Sequence, residues 1–384
     1  MSQHQKHAKI TRPVFGTFHR NEWAILGTTC SRIKQLAYAL TEIFQSNYRV
    51  GYVDADHKNA DGEPDSSERS AMNFGATKEY TDKITHHQFN FKGHLDNYQY
   101  RNHFLEEDFV LVNGNHFEAK RQIVVIDPVK EKSLKKRLAQ LKQVDLILFT
   151  EQPQPLYPFL VKAIPGIDGI PILNLDDIAG ISQFIRPQVE VTKPPLFGLV
   201  LAGGKSQRMG QDKGLIDYHG QPQREHIAQE LAAFCEGVYI SGRENQEISS
   251  EFPSLPDTFT GLGPYGGILS AFRAHPDAAW LVVACDLPLL DQRTLGHLVS
   301  ARNISKLATA FNSPVNTFPE PLIAIWEPRA YVSLLQFLAQ GYSCPRKVLI
   351  NTDVELVDAQ NPRALMNVNR PEEYEQVMAV LNNL

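Results

Sequence analysis

Arg208 and Lys213 are cations at short spacing behind a pair of glycines, in the run Leu201-Ala202-Gly203-Gly204-Lys205-Ser206-Gln207-Arg208-Met209-Gly210-Gln211-Asp212-Lys213. A turn without side chains lets backbone N–H groups close on an anion. Two fixed positive charges beside those amides suit a polyphosphate, because a charge-assisted contact contributes about 1.5–3 kcal/mol net. The run lacks the GxxxxGK[ST] spacing of a Walker loop, and its plain alternative is a tight strand-to-helix turn. Asp286 supplies the opposite charge in Cys285-Asp286-Leu287-Pro288, directly after the apolar residues 280–284. Ligands of open parallel sheets gather outside the carboxyl ends of strands. One carboxylate there can hold Mg²⁺ while phosphate oxygens and water complete an octahedron, or it can simply cap the next turn.

Two further segments carry polar groups toward the same chemistry. Asp257 precedes Gly261-Leu262-Gly263-Pro264-Tyr265-Gly266-Gly267, which runs into a helix over 268–273, and glycines at a helix entrance admit a ligand close to the backbone. Asn367 and Asn369 alternate in an extended stretch before the last helix. Alternation puts both on one side, within reach of metal or phosphates, although Asn369 would equally serve as a helix cap.

The elements that must position these groups are apolar strands alternating with helix-like stretches, an α/β pattern in both halves. Strands are expected at 23–26, 49–53, 109–112, 122–126, 145–149 and 171–175, and a helix at 31–44 with Ile33, Leu36, Leu40 and Phe44 on one face. Residues 54–102 are polar and weakly periodic, a region of loops with an added hairpin. Pro187, Pro194 and Pro195 punctuate a joint at 186–195 that shows no helical period. Beyond it, strands are expected at 196–200, 238–240, 279–284 and 321–326. Helices are expected at 223–235 (Ile227, Leu231 and Phe234 on one face), 331–339 and 371–381, the last with Pro at its first turn. The expected organisation is a poorly ordered tail (1–20), a first domain (21–187), a linker (188–195) and a second domain (196–384). Each domain would be a mainly parallel sheet flanked by helices.

Bulk properties suit a globular chain of two domains. The chain has 384 residues, long for one core, and a net charge of -5, which argues against a broad grip on nucleic acid. No apolar run approaches the roughly 20 residues of a membrane span, and residues 1–20 lack the apolar core of a secretory signal. A cytoplasmic protein with no membrane partner is expected. Cys30, Cys235, Cys285 and Cys344 form no CxxC pair, so no disulfide framework or zinc site is expected. Cys235 and Cys285 read as core residues, and His86-His87 as loop histidines.

The second half resembles the molybdenum cofactor guanylyltransferases, within the nucleotidyltransferases of GT-A-like fold. The resemblance rests on the run 201–213, on Gly263-Pro-x-x-Gly-Ile268, on Cys285-Asp-x-Pro288 and on Asn367-Val-Asn-x-Pro-Glu-Glu373. It implies that the terminal phosphate of molybdopterin, or of molybdenum-molybdopterin, attacks the α-phosphorus of GTP. The products would be the guanine dinucleotide cofactor and pyrophosphate, with Mg²⁺ as cofactor. The nucleophile is already an anion, so no general base is required; cations must offset charge on the departing pyrophosphate. By this resemblance Gly203, Gly204, Arg208 and Lys213 hold phosphates and Asp286 the metal. Leu201, Ala202 and Asp257 seat the nucleoside, and Asn367 and Asn369 lie by the pterin phosphate or metal. Gly203 and Asp212 favour guanylyl over cytidylyl transfer. A cytidylyltransferase, another nucleotidyltransferase of this fold, or a non-catalytic cofactor carrier are the alternatives. The family carries Asn where this chain has Ser241-Gly242-Arg243.

The first half resembles the molybdopterin-guanine dinucleotide biosynthesis adaptor, a P-loop GTPase relative, through residues 24–31, 51–57, 108–114 and 170–177. Its phosphate loop departs from the pattern: Gly27 is followed by Thr28-Thr29-Cys30-Ser31-Arg32-Ile33-Lys34 with no Gly-Lys-Ser/Thr, and Asn113 replaces an acidic residue. Lys34 falls within the expected helix. This P-loop-like domain is therefore expected to keep the fold without hydrolysing GTP. Docking is its expected role, with acceptor molybdoenzymes, their chaperones or a second copy of the chain as compatible partners.

Overall fold

Strands such as Glu22–Leu26, Phe109–Asn113 and Ala279–Ala284 are buried at every residue, the mark of parallel strands covered on both faces. A computed structural model of the chain describes residues 16–55, 70–151, 155–202, 213–242 and 250–382. It divides into two units, residues 1–192 and 193–384.

The first unit runs β1 (Glu22–Leu26), α1 (Cys30–Phe44), β2 (Val50–Val53), β3 (Lys78–Asp82), β4 (His87–Phe91), α2 (Asn97–His103), β5 (Phe109–Asn113) and β6 (Arg121–Ile126). It continues with α3 (Glu131–Lys135), β7 (Val144–Phe149), α4 (Pro158–Ala163), β8 (Ile172–Asn174) and α5 (Ile178–Val191). Six strands form a parallel sheet in the order β2-β5-β1-β6-β7-β8. The expected hairpin is β3–β4, an antiparallel pair outside that sheet. Helix α1 starts where the Thr29 hydroxyl accepts from Arg32 N, and it buries Ile33, Leu36, Ala37, Leu40 and Phe44 along one face. The turn before it needs glycine: Gly27 has φ +99°, and a Cβ there would stand 2.2 Å from Val125 O.

One expectation fails here. The joint was expected to lack helical period from Arg186, yet α5 continues through Pro187 to Val191. Ile181, Ile185 and Val189 are buried at helical spacing, and that apolar row outweighs the one backbone donor that proline lacks.

The second unit runs β9 (Leu196–Leu201), α6 (Gln223–Ala232), β10 (Gly237–Gly242), β11 (Ser254–Pro256), α7 (Pro264–Ala274) and β12 (Ala279–Ala284). Then follow α8 (Gln292–Ser300), β13 (Ala308–Asn312), β14 (Pro319–Trp326), α9 (Ala330–Ala339), α10 (Pro345–Ile350), β15 (Glu355–Val357) and α11 (Pro371–Leu381). The sheet order is β11-β10-β9-β12-β14-β13-β15. Strands β11, β10, β9 and β12 are mutually parallel, whereas β14 runs antiparallel to both β12 and β13. One face packs Ile227, Leu231, Leu281 and Leu295; the other packs Tyr265, Phe272, Trp280 and Trp326. Glu327, fully buried, takes Arg302 Nε at 2.6 Å and Nη2 at 3.0 Å, and Arg302 Nη2 also donates to Pro194 O. Each charge is thereby paired and hydrogen-bonded, as burial demands.

Candidate active site

The carboxyl ends of β10, β9 and β12 meet at one register: Leu201 pairs with Ser241 on one side and with Ala284 on the other. The chain leaves β12 through buried Cys285 to Asp286, so Asp286 stands just past that edge. Asp286 O accepts from Val368 N at 2.9 Å, which draws the Asn367–Asn369 stretch alongside. Asn369 is held in turn by the start of α11, where Glu373 Oε2 accepts from Asn369 N (2.6 Å) and Arg370 N (3.1 Å).

Lys213 closes the cluster. Its ammonium donates to Asn369 Oδ1 at 2.6 Å and to Asp286 Oδ2 at 3.3 Å. Asp286 and Asn369 lie 73 and 156 residues from Lys213 in sequence, so tertiary structure alone makes them neighbours. Lys213 and Asp286 are 17% and 22% exposed: partly dehydrated, yet open to a ligand. The hydroxyl of buried Tyr218 is pushed up to about 12, chiefly by burial, then by the nearby Tyr374 and Asp286. Asn367 is exposed and takes no part in the Lys213 contact, while Val368 between the two asparagines is buried, as extended alternation requires.

On the opposite side of Leu201, Asp257 is held by Ser241, whose hydroxyl donates to Asp257 Oδ1 at 2.6 Å. Burial raises the Asp257 carboxyl above its ordinary 3.8, and the Ser241 hydrogen bond offsets part of that rise. Helix α7 presses close here. A Cβ on Gly267 would meet Leu201 Cδ2 at 2.7 Å, Ser241 Oγ at 3.2 Å and Asp257 Oδ1 at 3.5 Å, and one on Gly266 would meet Phe259 O at 2.2 Å. Both glycines are therefore fixed by close approach. Ala202 is buried at the exit of β9. Gly203, Gly204 and Arg208 lie outside the described residues.

A Mg²⁺ ion fits the donor set. Among the described residues the buried Asp286 Oδ1 has no hydrogen-bond partner, an open acceptor position on a carboxylate oxygen that a cation would fill. Asn369 Oδ1 offers a second hard oxygen donor. Among the described residues no group of three or more His, Cys, Asp or Glu side chains is arranged to cage a metal; Mg²⁺ typically takes one or two carboxylates and leaves the other positions to phosphate and water.

Sequence reasoning brought Lys213, Asp286 and Asn369 forward, and the structure joins them. It did not find the Ser241–Asp257 bond, since Ser241 stood out only as a departure from Asn, nor Glu373 as the residue fixing Asn369. Glu373 lies within the same motif, three residues past Arg370, a helix-start spacing that points to a carboxylate reaching back to backbone N–H groups.

At the strand ends of the first unit, side chains bond one another. Thr28 Oγ1 donates to Asp127 Oδ2 at 2.5 Å, Arg32 approaches the same oxygen at 3.6 Å, and Asn113 Nδ2 donates to Asp54 Oδ1 at 2.8 Å. Lys34 lies on α1 with its ammonium over the Tyr38 ring, 5.8 Å from the centroid.

Residues 198–356 match a family model described as a MobA-like NTP transferase domain. The chain is 36% identical over 193 residues to a molybdenum cofactor biosynthesis bifunctional protein of Synechocystis sp., covering 50% of this chain and only 56% of that relative. It is 31% identical over 191 residues to a molybdenum cofactor guanylyltransferase of Pseudomonas putida, covering 47% of this chain and 95% of that one. A solved structure, molybdopterin-guanine dinucleotide biosynthesis protein A from Archaeoglobus fulgidus, superposes with a TM-score of 0.43 and 20% identity over 49% of this chain and 100% of its own.

Proposed function

Through the half that holds residues 198–356 the chain belongs to the molybdenum cofactor guanylyltransferases, and from that premise we propose that it transfers GMP from GTP to molybdopterin. An oxygen of the acceptor's terminal phosphate bonds to the α-phosphorus, the bond from that phosphorus to the bridging oxygen breaks, and pyrophosphate leaves with the electron pair. The observation that carries this reading is the meeting of Lys213, Asp286 and Asn369 at the sheet's carboxyl edge.

Each residue has a role that follows from its chemistry. Asp286 and Asn369 hold Mg²⁺, which when bound supplies positive charge to the phosphates. Lys213 and Arg208 neutralise the triphosphate and stabilise the charge gathering on pyrophosphate; the Gly203 and Gly204 amides add neutral donors. Asp257, fixed by Ser241, accepts from the donor edge of guanine, with Leu201 and Ala202 beneath the nucleoside. Asn367 reaches the acceptor phosphate. The nucleophile is already ionised, so the site needs no His or carboxylate base. The first unit serves docking without GTP hydrolysis, a reading supported by side-chain pairs that occupy its own strand ends. Among the described residues no helix is long and apolar enough to cross a membrane, and we infer a cytoplasmic enzyme.

The test is product identification. The full chain with Mg²⁺, molybdopterin and either GTP or CTP is expected to yield the guanine dinucleotide and one pyrophosphate per turnover with GTP only. A cytosine dinucleotide, or no dinucleotide from either triphosphate, refutes the proposal.

A further inference from the structure

The three segments that bring Lys213, Asp286 and Asn369 together also line a cavity. Lys213 leads on to His219, Asp286 to Leu290 and Asp291, and Arg363 precedes Asn369. Helix α11, whose first turn fixes Asn369, closes the cavity with Leu381 from its last turn. Its volume is about 420 Å³, inside the roughly 300–1,000 Å³ range of small-molecule sites.

The lining pairs apolar walls with a few oriented polar groups. Leu289, Leu290, Val380 and Leu381 supply the walls. His226 and Glu230 stand one turn apart on α6, and the Glu230 carboxyl, raised by burial, is oriented by hydrogen bonds from the Gln292 side chain and backbone while keeping further lone pairs for a ligand. The His219 and His226 rings stack with centroids 3.7 Å apart, and His219 Nε2 donates to Pro288 O at 2.9 Å, which anchors the pair to the Asp286 loop. Burial presses His226 down to about 4, with His219 adding to the effect, so the His226 ring stays uncharged near neutral pH. Arg363 adds a cation at the exposed side.

We propose that this cavity receives the 2-amino-4-oxopyrimidine ring of the pterin acceptor, with Glu230 on its donor edge and Arg363 on its carbonyl. That edge presents an N–H and an amino group side by side, which a carboxylate accepts together, and the neighbouring carbonyl suits a guanidinium. The imidazole and leucine walls suit the flat faces of the ring. Guanine shares this edge; the pterin is favoured because Asp257 and Leu201 already offer the guanosine a seat beyond the other side of Lys213's cluster. The inference rests on the GMP-transfer reading and deepens it.

The test uses the full chain and 6-hydroxymethylpterin, followed by its own fluorescence, alongside steady-state transfer. Glu230→Gln is expected to weaken pterin binding and raise the KM for molybdopterin by about 10–100-fold, the loss of a charge-assisted hydrogen bond, with the KM for GTP unchanged. Leu381→Trp, which fills the cavity from α11 and leaves the carboxylate in place, is expected to act in the same direction. Pterin binding and acceptor KM unmoved in both variants overturn the proposal, as does displacement of the pterin by GTP at the GTP KM. A parent chain that binds pterin through Glu230 yet transfers no GMP leaves the cavity assigned and defeats the transfer reading instead.

Discussion

Lys213 stands between an ionised oxygen and a neutral one, Asp286 Oδ2 and Asn369 Oδ1, and this makes the three separable by mutation. Asp286→Ala removes the carboxylate proposed to hold Mg²⁺, so turnover should fall about 10³-fold or more in a pyrophosphate-release assay. Lys213→Ala should cost about 10²–10³ in kcat, the usual loss of one transition-state donor. Asp286→Ala should leave the urea midpoint near the parent's, whereas Lys213→Ala leaves a mostly buried carboxylate without its ammonium and should lower the midpoint while keeping the fold. A fold lost with activity in both variants would mean a structural role. Asp257 behaves differently. Its carboxyl is raised in the folded chain, so as pH climbs the unfolded chain ionises first. Stability therefore falls from the unfolded value, near 3.8, up to the higher folded one, and stays lowered above it. Asp257→Asn keeps an acceptor for Ser241 and removes this loss. The variant should be at least as stable as the parent at pH 7 by urea denaturation, with a smaller drop from pH 3 to 7, while its GTP KM rises. A variant less stable at pH 7 than the parent contradicts the desolvation account. Lys213, Asp286 and Asn369, which the structure brings together, were singled out at this scale by residue type and spacing. The Ser241 bond was not, since nothing in the chain order links it to Asp257 across α7's approach.

Elements position these groups through close packing, and α7 is the tightest case. Gly266→Ala places a methyl against Phe259 O, a backbone atom that cannot swing aside. It should cost about 1–3 kcal/mol of stability, read as a lower urea midpoint. Gly267→Val instead crowds Leu201 and Ser241, and its first effect should be a raised GTP KM with the acceptor KM unchanged; equal effects on both would place the crowding elsewhere. The parallel strands β1, β5, β6, β9 and β12 were readable because burial on both faces leaves continuous apolar runs. Strands β13 and β15 were missed, as Ala308–Asn312 mixes small and polar residues and Glu355–Val357 is too short to show a period. Helix α5 was cut short because Pro187 was weighted above the apolar row through Val189. Local punctuation lost to tertiary burial there.

At the scale of the whole molecule, the two units can be separated chemically without cutting the chain. A full-length Asp286→Ala variant is expected to silence the proposed transfer by the second unit, so any phosphate released from Mg²⁺-GTP then reports the first unit. Release at the blank rate is expected, because Lys34 sits on the Tyr38 ring and Asp127 binds Thr28 and Arg32 at the strand ends. Sustained hydrolysis in that variant would show an active GTPase. Two α/β units were legible from the alternation of strands and helices, whereas the convergence of positions 213, 286 and 369 needed the fold. That convergence is tested most directly by a crystal of the full chain with Mn²⁺ and a GTP analogue whose α–β bridge is methylene. The account predicts an anomalous manganese peak bound to the Asp286 carboxylate and an α-phosphate oxygen, with Lys213 on the phosphates. Manganese and triphosphate bound away from Asp286 and Lys213 would contradict it.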